Sequence, residues 1–166
     1  PNGYGNFKGT QACLILKSNV TAIGTKSYMK GRAVRLTTSY GSGDRRLYEV
    51  EINQIDGSVQ NFGIITKVVD YNISQLNTIF KHYSSSLAGI NLNLYDVCFV
   101  ATSGIVDARV NTSDDSSAGR VLKVDGNRDG EFRLNDNATT AVVGQTLIDA
   151  PTASAGSGTL VPVRMH

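Results

Sequence analysis

The chain has 166 residues, 40% of them hydrophobic and 18% charged, with a formal net charge of +2 from 16 basic and 14 acidic side chains. That length fits one domain with a true core, and a charge content below the usual quarter favours a sheet surface of Ser, Thr and Asn over ion-paired helices. The small net charge excludes attachment to nucleic acid or an anionic membrane by bulk electrostatics, and no apolar run reaches the roughly 18 residues of a spanning helix.

Seventeen Gly against three Pro and no Trp point to many tight turns between short strands. The expected fold is therefore mainly β: a small barrel-like or sandwich domain with one amphipathic helix and an extended N-terminal arm. Residues 1–11, PNGYGNFKGTQ, form the arm and residues 12–166 a single β-rich domain. The opening residues lack the charged-then-apolar order of a signal peptide, so a cytoplasmic product without its initiator Met is expected, with a processed fragment as the alternative. The arm is too poor in apolar groups to order itself, and its Tyr4 and Phe7 are candidates for contact with a partner.

ACLILK and the stretch around Val20 to Ile23 read as short strands. Ala33 to Thr37 and Tyr48 to Ile52 alternate, with Tyr48, Val50 and Ile52 sharing one face. The loop SYGSGDRR between them puts Arg45 and Arg46 at an exposed tip, where Arg forks suit carboxylates of a partner. Asp56-Gly57 signals a hairpin leading to Val59 and then Phe62 to Val69. In YNISQLNTIFKHYSSSLAG, Ile73, Leu76, Ile79, Phe80, Tyr83 and Leu87 recur at three and four residues, which predicts the helix. Strands resume at Tyr95 to Ala101, Gly104 to Val110, Arg120 to Val124, Glu131 to Leu134, Ala141 to Ile148 and Thr159 to Arg164. No repeat of fixed period is evident.

Catalytic chemistry finds little support. The two His, His82 and His166, accompany no nucleophile elbow, and neither a phosphate-binding loop nor a dinucleotide fingerprint occurs. No enzyme activity and no cofactor are expected. Cys13 and Cys98 sit in apolar runs and read as buried reduced thiols. One stretch has ligand-like spacing: Asp125, Asn127, Asp129 and Asp136 occupy positions 1, 3, 5 and 12 of a calcium-type loop, with Gly130 at 6. Asp136 is shorter than the Glu such loops carry at position 12, and the flanks RVLKV and EFRL read as strands. A turn, DGNRDG, joining two strands is the expectation.

From Tyr95 onward, DVCFVATSGIVDARV and then TTAVVGQTLIDAPTASAGSGTLVPVRMH resemble the C-terminal half of the small phage head proteins called capsid cement or decoration proteins. Gly144, Leu147 and Ala150, followed by Gly156, Val161 and Val163, carry the likeness, and KGRAVRLTTSYGSGD with VQNFGIITKVV resembles the family's opening more loosely. The resemblance implies a virion structural protein on the outer capsid surface, made in the bacterial host cytoplasm. Its partners would be the major capsid protein and neighbouring copies of itself. The alternative from another class is a calcium-binding adhesion or carbohydrate-binding β module, resting on the Asp125 stretch alone.

Overall fold

The computed structural model describes residues 9–41, 47–55, 60–70, 75, 90–112, 117–135, 143–153 and 158–165. The described residues form ten strands: β1 (Thr10–Leu16), β2 (Ala33–Tyr40), β3 (Leu47–Ile52), β4 (Gly63–Val69), β5 (Tyr95–Ala101), β6 (Ile105–Val110), β7 (Val121–Asp125), β8 (Glu131–Leu134), β9 (Gly144–Thr146) and β10 (Thr159–Met165). The chain is mainly β, as composition predicts; strands are present where ACLILK, Ala33 to Thr37, Tyr48 to Ile52, Phe62 to Val69, Tyr95 to Ala101, Gly104 to Val110, Arg120 to Val124, Glu131 to Leu134 and Thr159 to Arg164 place them, whereas of Ala141 to Ile148 only Gly144–Thr146 is a strand among the described residues. Tyr48, Val50 and Ile52 do share a buried cluster.

The strands form two rings. β1, β3, β2, β4 and β5 close one barrel, and β10, β6, β8, β7 and β9 close a second. Numbered from its own first strand, each ring has the same order, and each has one parallel pair, β1 with β3 and β6 with β8, among antiparallel neighbours. The backbone bonds at the ring ends repeat as well. Gly31 N–H donates to Ile65 O and Ile65 N–H to Arg32 O; in the second ring Gly119 N–H donates to Thr146 O and Thr146 N–H to Arg120 O. Asn53 N–H reaches Ala33 O as Asn135 N–H reaches Val121 O, and Thr102 N–H reaches Gly9 O as Met165 N–H reaches Gly104 O.

Gly63 and Gly144 open equivalent strands, and for one reason. A Cβ on Gly63 would meet Ala101 O and lie 2.6 Å from Val100 Cγ1; on Gly144 it would meet Arg164 O and lie 2.8 Å from Val163 Cγ1. The fold is a duplication of one barrel. It escapes a search for fixed period because the connections differ in length: Gly31 and Gly119 lie 88 positions apart, but Gly63 and Gly144 only 81.

The first barrel buries two faces of its central strands. Cys13, Ile15, Val50, Ile65, Cys98 and Val100 fill its interior, while Ala12, Leu14, Leu47 and Val97 point outward into a cluster with Leu92. This accounts for the unbroken apolar run ACLIL, since a strand buried on both faces need not alternate. In the second barrel Leu122, Val124, Phe132, Val161 and Val163 form the core, which Ala33, Ile64 and Ala101 of the first barrel join. The last strand completes this ring between β9 and β6. Pro162 is tolerated within it because its carbonyl accepts from Leu147 N–H, so its missing N–H faces past the end of the three-residue β9.

Two sequence readings change. The stretch around Val20 to Ile23 is not a strand but part of a helix, α1 (Lys17–Ile23), ended by Gly24 at φ 131. Its β-branched residues suggest a strand, yet Val20 and Ile23, three apart, both turn into the first-barrel core, and that tertiary contact outweighs propensity. Thr10 and Gln11, assigned to the arm, pair with Ala101 and Val100 of the same chain. The helix expected at Ile73 to Leu87 lies outside the described residues except for Gln75, which is helical, and the Asp56-Gly57 hairpin lies outside them too.

The duplication predicts matched sensitivity. Gly63→Ala and Gly144→Ala should each destabilise the protein by about 1–3 kcal/mol in urea titrations, because the methyl group has backbone to displace in both rings. A neutral result at either position would contradict the equivalence.

Candidate functional site

The Asp125 stretch, the sharpest ligand-like signal in the sequence, joins β7 to β8 where the two barrels meet. The strands pair antiparallel through Val124↔Phe132 and Asp125↔Glu131. Asp125 Oδ1 accepts from Asn127 N–H at 3.3 Å, which starts a 3-10 turn over Gly126–Arg128. Asp129 then adopts a left-handed backbone, φ 52, and Gly130 follows at φ 76. No side chain fits at Gly130: a Cβ there would come within 2.7 Å of Ala33 O.

The turn's polar atoms point to the first barrel. Gln54 Nε2 donates to Asp129 Oδ1 at 3.0 Å, Arg32 Nη1 donates to Asp129 O at 2.9 Å, and Ala33 N–H donates to Gly130 O at 2.7 Å. Asp125, Asn127 and Asp129 are thus brought together in one turn, whereas Asp136 lies outside the described residues. Among the described residues, no group of three or more acidic, His or Cys side chains is placed to hold a metal ion.

Behind the turn lies a pairing that the sequence reading missed. Arg32 is 4% exposed and Glu131 fully buried, with Arg32 Nη1 3.5 Å from Glu131 Oε2. Arg32 Nε also donates to Tyr28 O at 2.7 Å, and Asn111 Nδ2 donates to Glu131 Oε1 at 2.9 Å. Burial lowers the Arg32 guanidinium from its usual range and the Glu131 charge opposes that shift. A sequence signal for the pair existed: Arg32 immediately precedes the strand starting at Ala33 and Glu131 opens the strand to Leu134, where a charge beside apolar neighbours requires a partner once buried.

Of the partner-binding candidates, Tyr4, Phe7, Arg45 and Arg46 lie outside the described residues, as do His82 and His166. β2 and β3 pair as far as Tyr40↔Leu47, so the segment carrying Arg45 and Arg46 connects them. Cys13 and Cys98 are buried free thiols, directly opposite each other on β1 and β5. Burial pushes Cys13 up to about 12 and raises Cys98 as well, which keeps both protonated and unreactive.

Two clefts occupy equivalent ends of the rings. The first, about 340 Å3, is lined by α1 and by Lys26, Asp70 and Asp96. Lys17 Nζ bonds Asp96 Oδ1 at 2.6 Å and Asp70 Oδ1 at 3.1 Å, and Asp96 is only 3% exposed. The hydrogen bond to Asp96 raises the Lys17 ammonium above its usual value. The second cleft, about 610 Å3, lies between Ser117, residues 148–151 and residues 159–161 of the second barrel, and is more apolar, with Ile148 51% and Leu160 36% exposed. No helix comparable to α1 covers it among the described residues. In comparisons with known proteins, no family model matches the chain and no curated protein matches its sequence.

Two measurements check this site. Chelation of divalent ions should leave the melting temperature unchanged, because the turn's carboxylates are satisfied by Asn127 N–H and Gln54. A calcium-dependent rise abolished by Asp129→Ala would reverse that assignment. Lys17→Met should destabilise the fold by leaving the Asp96 carboxylate buried without its cation. Since the folded-state Lys17 value is raised, its contribution is complete below the ordinary lysine value of 10.5 and fades as pH climbs through the higher folded value. The variant should therefore lose part of the wild-type alkaline decline.

Proposed function

We propose that this chain is a virion structural protein that decorates a phage capsid and stabilises it by binding the major capsid protein lattice from outside. The observation that carries this reading is the build of the molecule. Two closed barrels of the same design are joined by a buried ion pair and a shared core into one body. A protein that reinforces a shell by many modest interfaces needs such a body. The resemblance of the residues around Gly144 to Val163 to cement proteins supports the same reading, and among them Gly144 lies in β9 and Val161 and Val163 in β10, which pair in the second ring. Neighbouring copies on the shell would be further partners, and the outer capsid surface the location.

Electron microscopy of particles lacking the protein, incubated with the purified chain, tests this directly. Regular additional density on the icosahedral shell is expected; bare shells at saturating protein would refute the reading. Removal of residues 1–8 should leave the melting temperature unchanged and weaken retention on heated particles. Full retention would remove the arm from the interface. Reversing charge at Arg45 and Arg46 should weaken binding and flatten its salt dependence, because fewer ion pairs would remain to be screened; equal occupancy at all salt concentrations in both forms would mean that the tip makes no contact.

A further inference from the structure

The duplication places the same sheet face in the molecule twice, once covered and once open. Gly9 and Gly104 hold equivalent places, so Ala12, Val97 and Phe99 outside the first ring correspond to Asp107, Leu160 and Pro162 outside the second. In the first ring these residues lie in an apolar cluster that Ile90 and Leu92 close. In the second, Val106, Ala108, Val161 and Val163 turn into the core, and alternation sends the residues between them outward. The seam covers only one margin of that outer face: a Cβ on Gly31 would lie 2.6 Å from Leu160 Cδ2, and Lys30 Nζ stands 3.6 Å from Asp107 Oδ2. Beyond the margin the face runs on across three strands. Asp107 stands opposite Pro162 and Ile105 opposite Arg164, while Leu147 N–H donates to Pro162 O. Ile105 is 64% exposed and Leu147 38%.

We infer that this outer face of β6, β10 and β9 is a self-association surface, on which the same face of a second copy packs about a two-fold axis. Ile105, Leu147, Leu160 and Pro162 form the apolar part of the contact, and Arg164 of each copy pairs with Asp107 of the partner subunit. Neighbouring copies are partners in the decoration reading too, but this contact rests on the face alone and is measured without a shell.

The face is complementary to itself. It carries charges of both signs on adjacent strands: the Asp107 carboxylate is 43% exposed, and Arg164, also exposed, forms no ion pair among the described residues. A face of one sign would repel its own copy, whereas a face with both, turned about a two-fold axis, brings each charge to its opposite. The covered face of the first ring shows what else such a surface accepts, namely apolar side chains like Ile90 and Leu92 laid across the strands. Ile105 and Leu147 of a second copy supply the same chemistry. The contact also continues one the chain already makes, since Leu160 and Asp107 meet Gly31 and Lys30 at its margin. Because the same patch serves both partners, association closes at two and does not grow into filaments.

Analytical ultracentrifugation of the full chain across a concentration series tests this, with each variant confirmed to be folded by its melting curve. Wild type should pass from monomer to dimer and no further. Leu147→Asp and Arg164→Glu should weaken pairing about tenfold or more, whereas Leu94→Asp, at a position 54% exposed on the first barrel, should pair as wild type does. The decisive comparison mixes two charge variants. Arg164→Glu and Asp107→Arg should each repel their own copies, but together they restore both ion pairs, so the mixture should dimerise where neither does alone. A wild type that stays monomeric at every concentration overturns the inference and leaves the decoration reading, which is tested on particles, untouched. Pairing that Leu147→Asp and Arg164→Glu do not weaken, or a mixture no tighter than its parts, puts the second copy elsewhere and overturns it as well.

Discussion

Two opposite charges, Arg32 and Glu131, meet in a place that water does not reach, and the rest of the architecture is arranged around making that tolerable. Removing such groups from water costs several kcal/mol each, and mutual attraction offsets this only when their remaining hydrogen-bonding capacity is also met. Here Tyr28 O and Asp129 O accept from the guanidinium and Asn111 donates to Glu131 Oε1, while Oε2 is met not by a hydrogen bond but by the Arg32 charge at 3.5 Å. Supplying those partners requires the first barrel's entry to β2, the second barrel's β7–β8 turn and the end of β6 to converge. It also requires backbones to approach closely, which explains Gly130 against Ala33 and Gly158 against Glu131, where a Cβ would come within 3.0 Å of Oε1. A pair so placed contributes little net stability compared with an apolar contact, but it penalises every other way of setting the two barrels together.

Duplication explains why the halves differ where they do. The ring order, the glycines at strand starts and the bonds from Asn53 and Asn135 are common to both, because they serve closure of the ring. The connections are free to diverge, and they have. Between β1 and β2 the chain forms α1, which fills the barrel end and holds Asp96 through Lys17; between β6 and β7 the shorter connection leaves a cleft beside Ile148. Between β4 and β5 lies the long connection whose described end, Ile90 to Leu94, covers the outer face of the first barrel. One half has become enclosed, and the other keeps its equivalent surface in solvent.

Much of the fold was legible in the sequence where local pattern and tertiary demand agree. Alternation at Tyr48, Val50 and Ile52 marks a strand because the pleat sends those side chains to one side, and they do pack together. The helix around Val20 reads as a strand because seven residues are too few for a helical period to emerge above β-branched composition. The Asp125 stretch shows a different limit: spacing suited to an ion is also spacing suited to a tight turn, and only the positions of Asn127 N–H and Gln54 reveal what its carboxylates contact. The candidate contacts Tyr4, Phe7, Arg45 and Arg46 follow from sequence alone.

By itself the sequence determined the β class, the succession of strands and the burial of the thiols, since each depends on side-chain period and turn chemistry within a short window. Tertiary structure alone decided that the strands close two rings instead of one, that the rings repeat, and that Arg32 belongs with Glu131. Those facts concern residues far apart in the chain, such as Val110 with Thr159 or Arg32 with Glu131, and their spacing shifts with every unequal connection. Ring closure is a matter of hydrogen-bond partners across space, and such partners leave no trace in the order of residues along one strand.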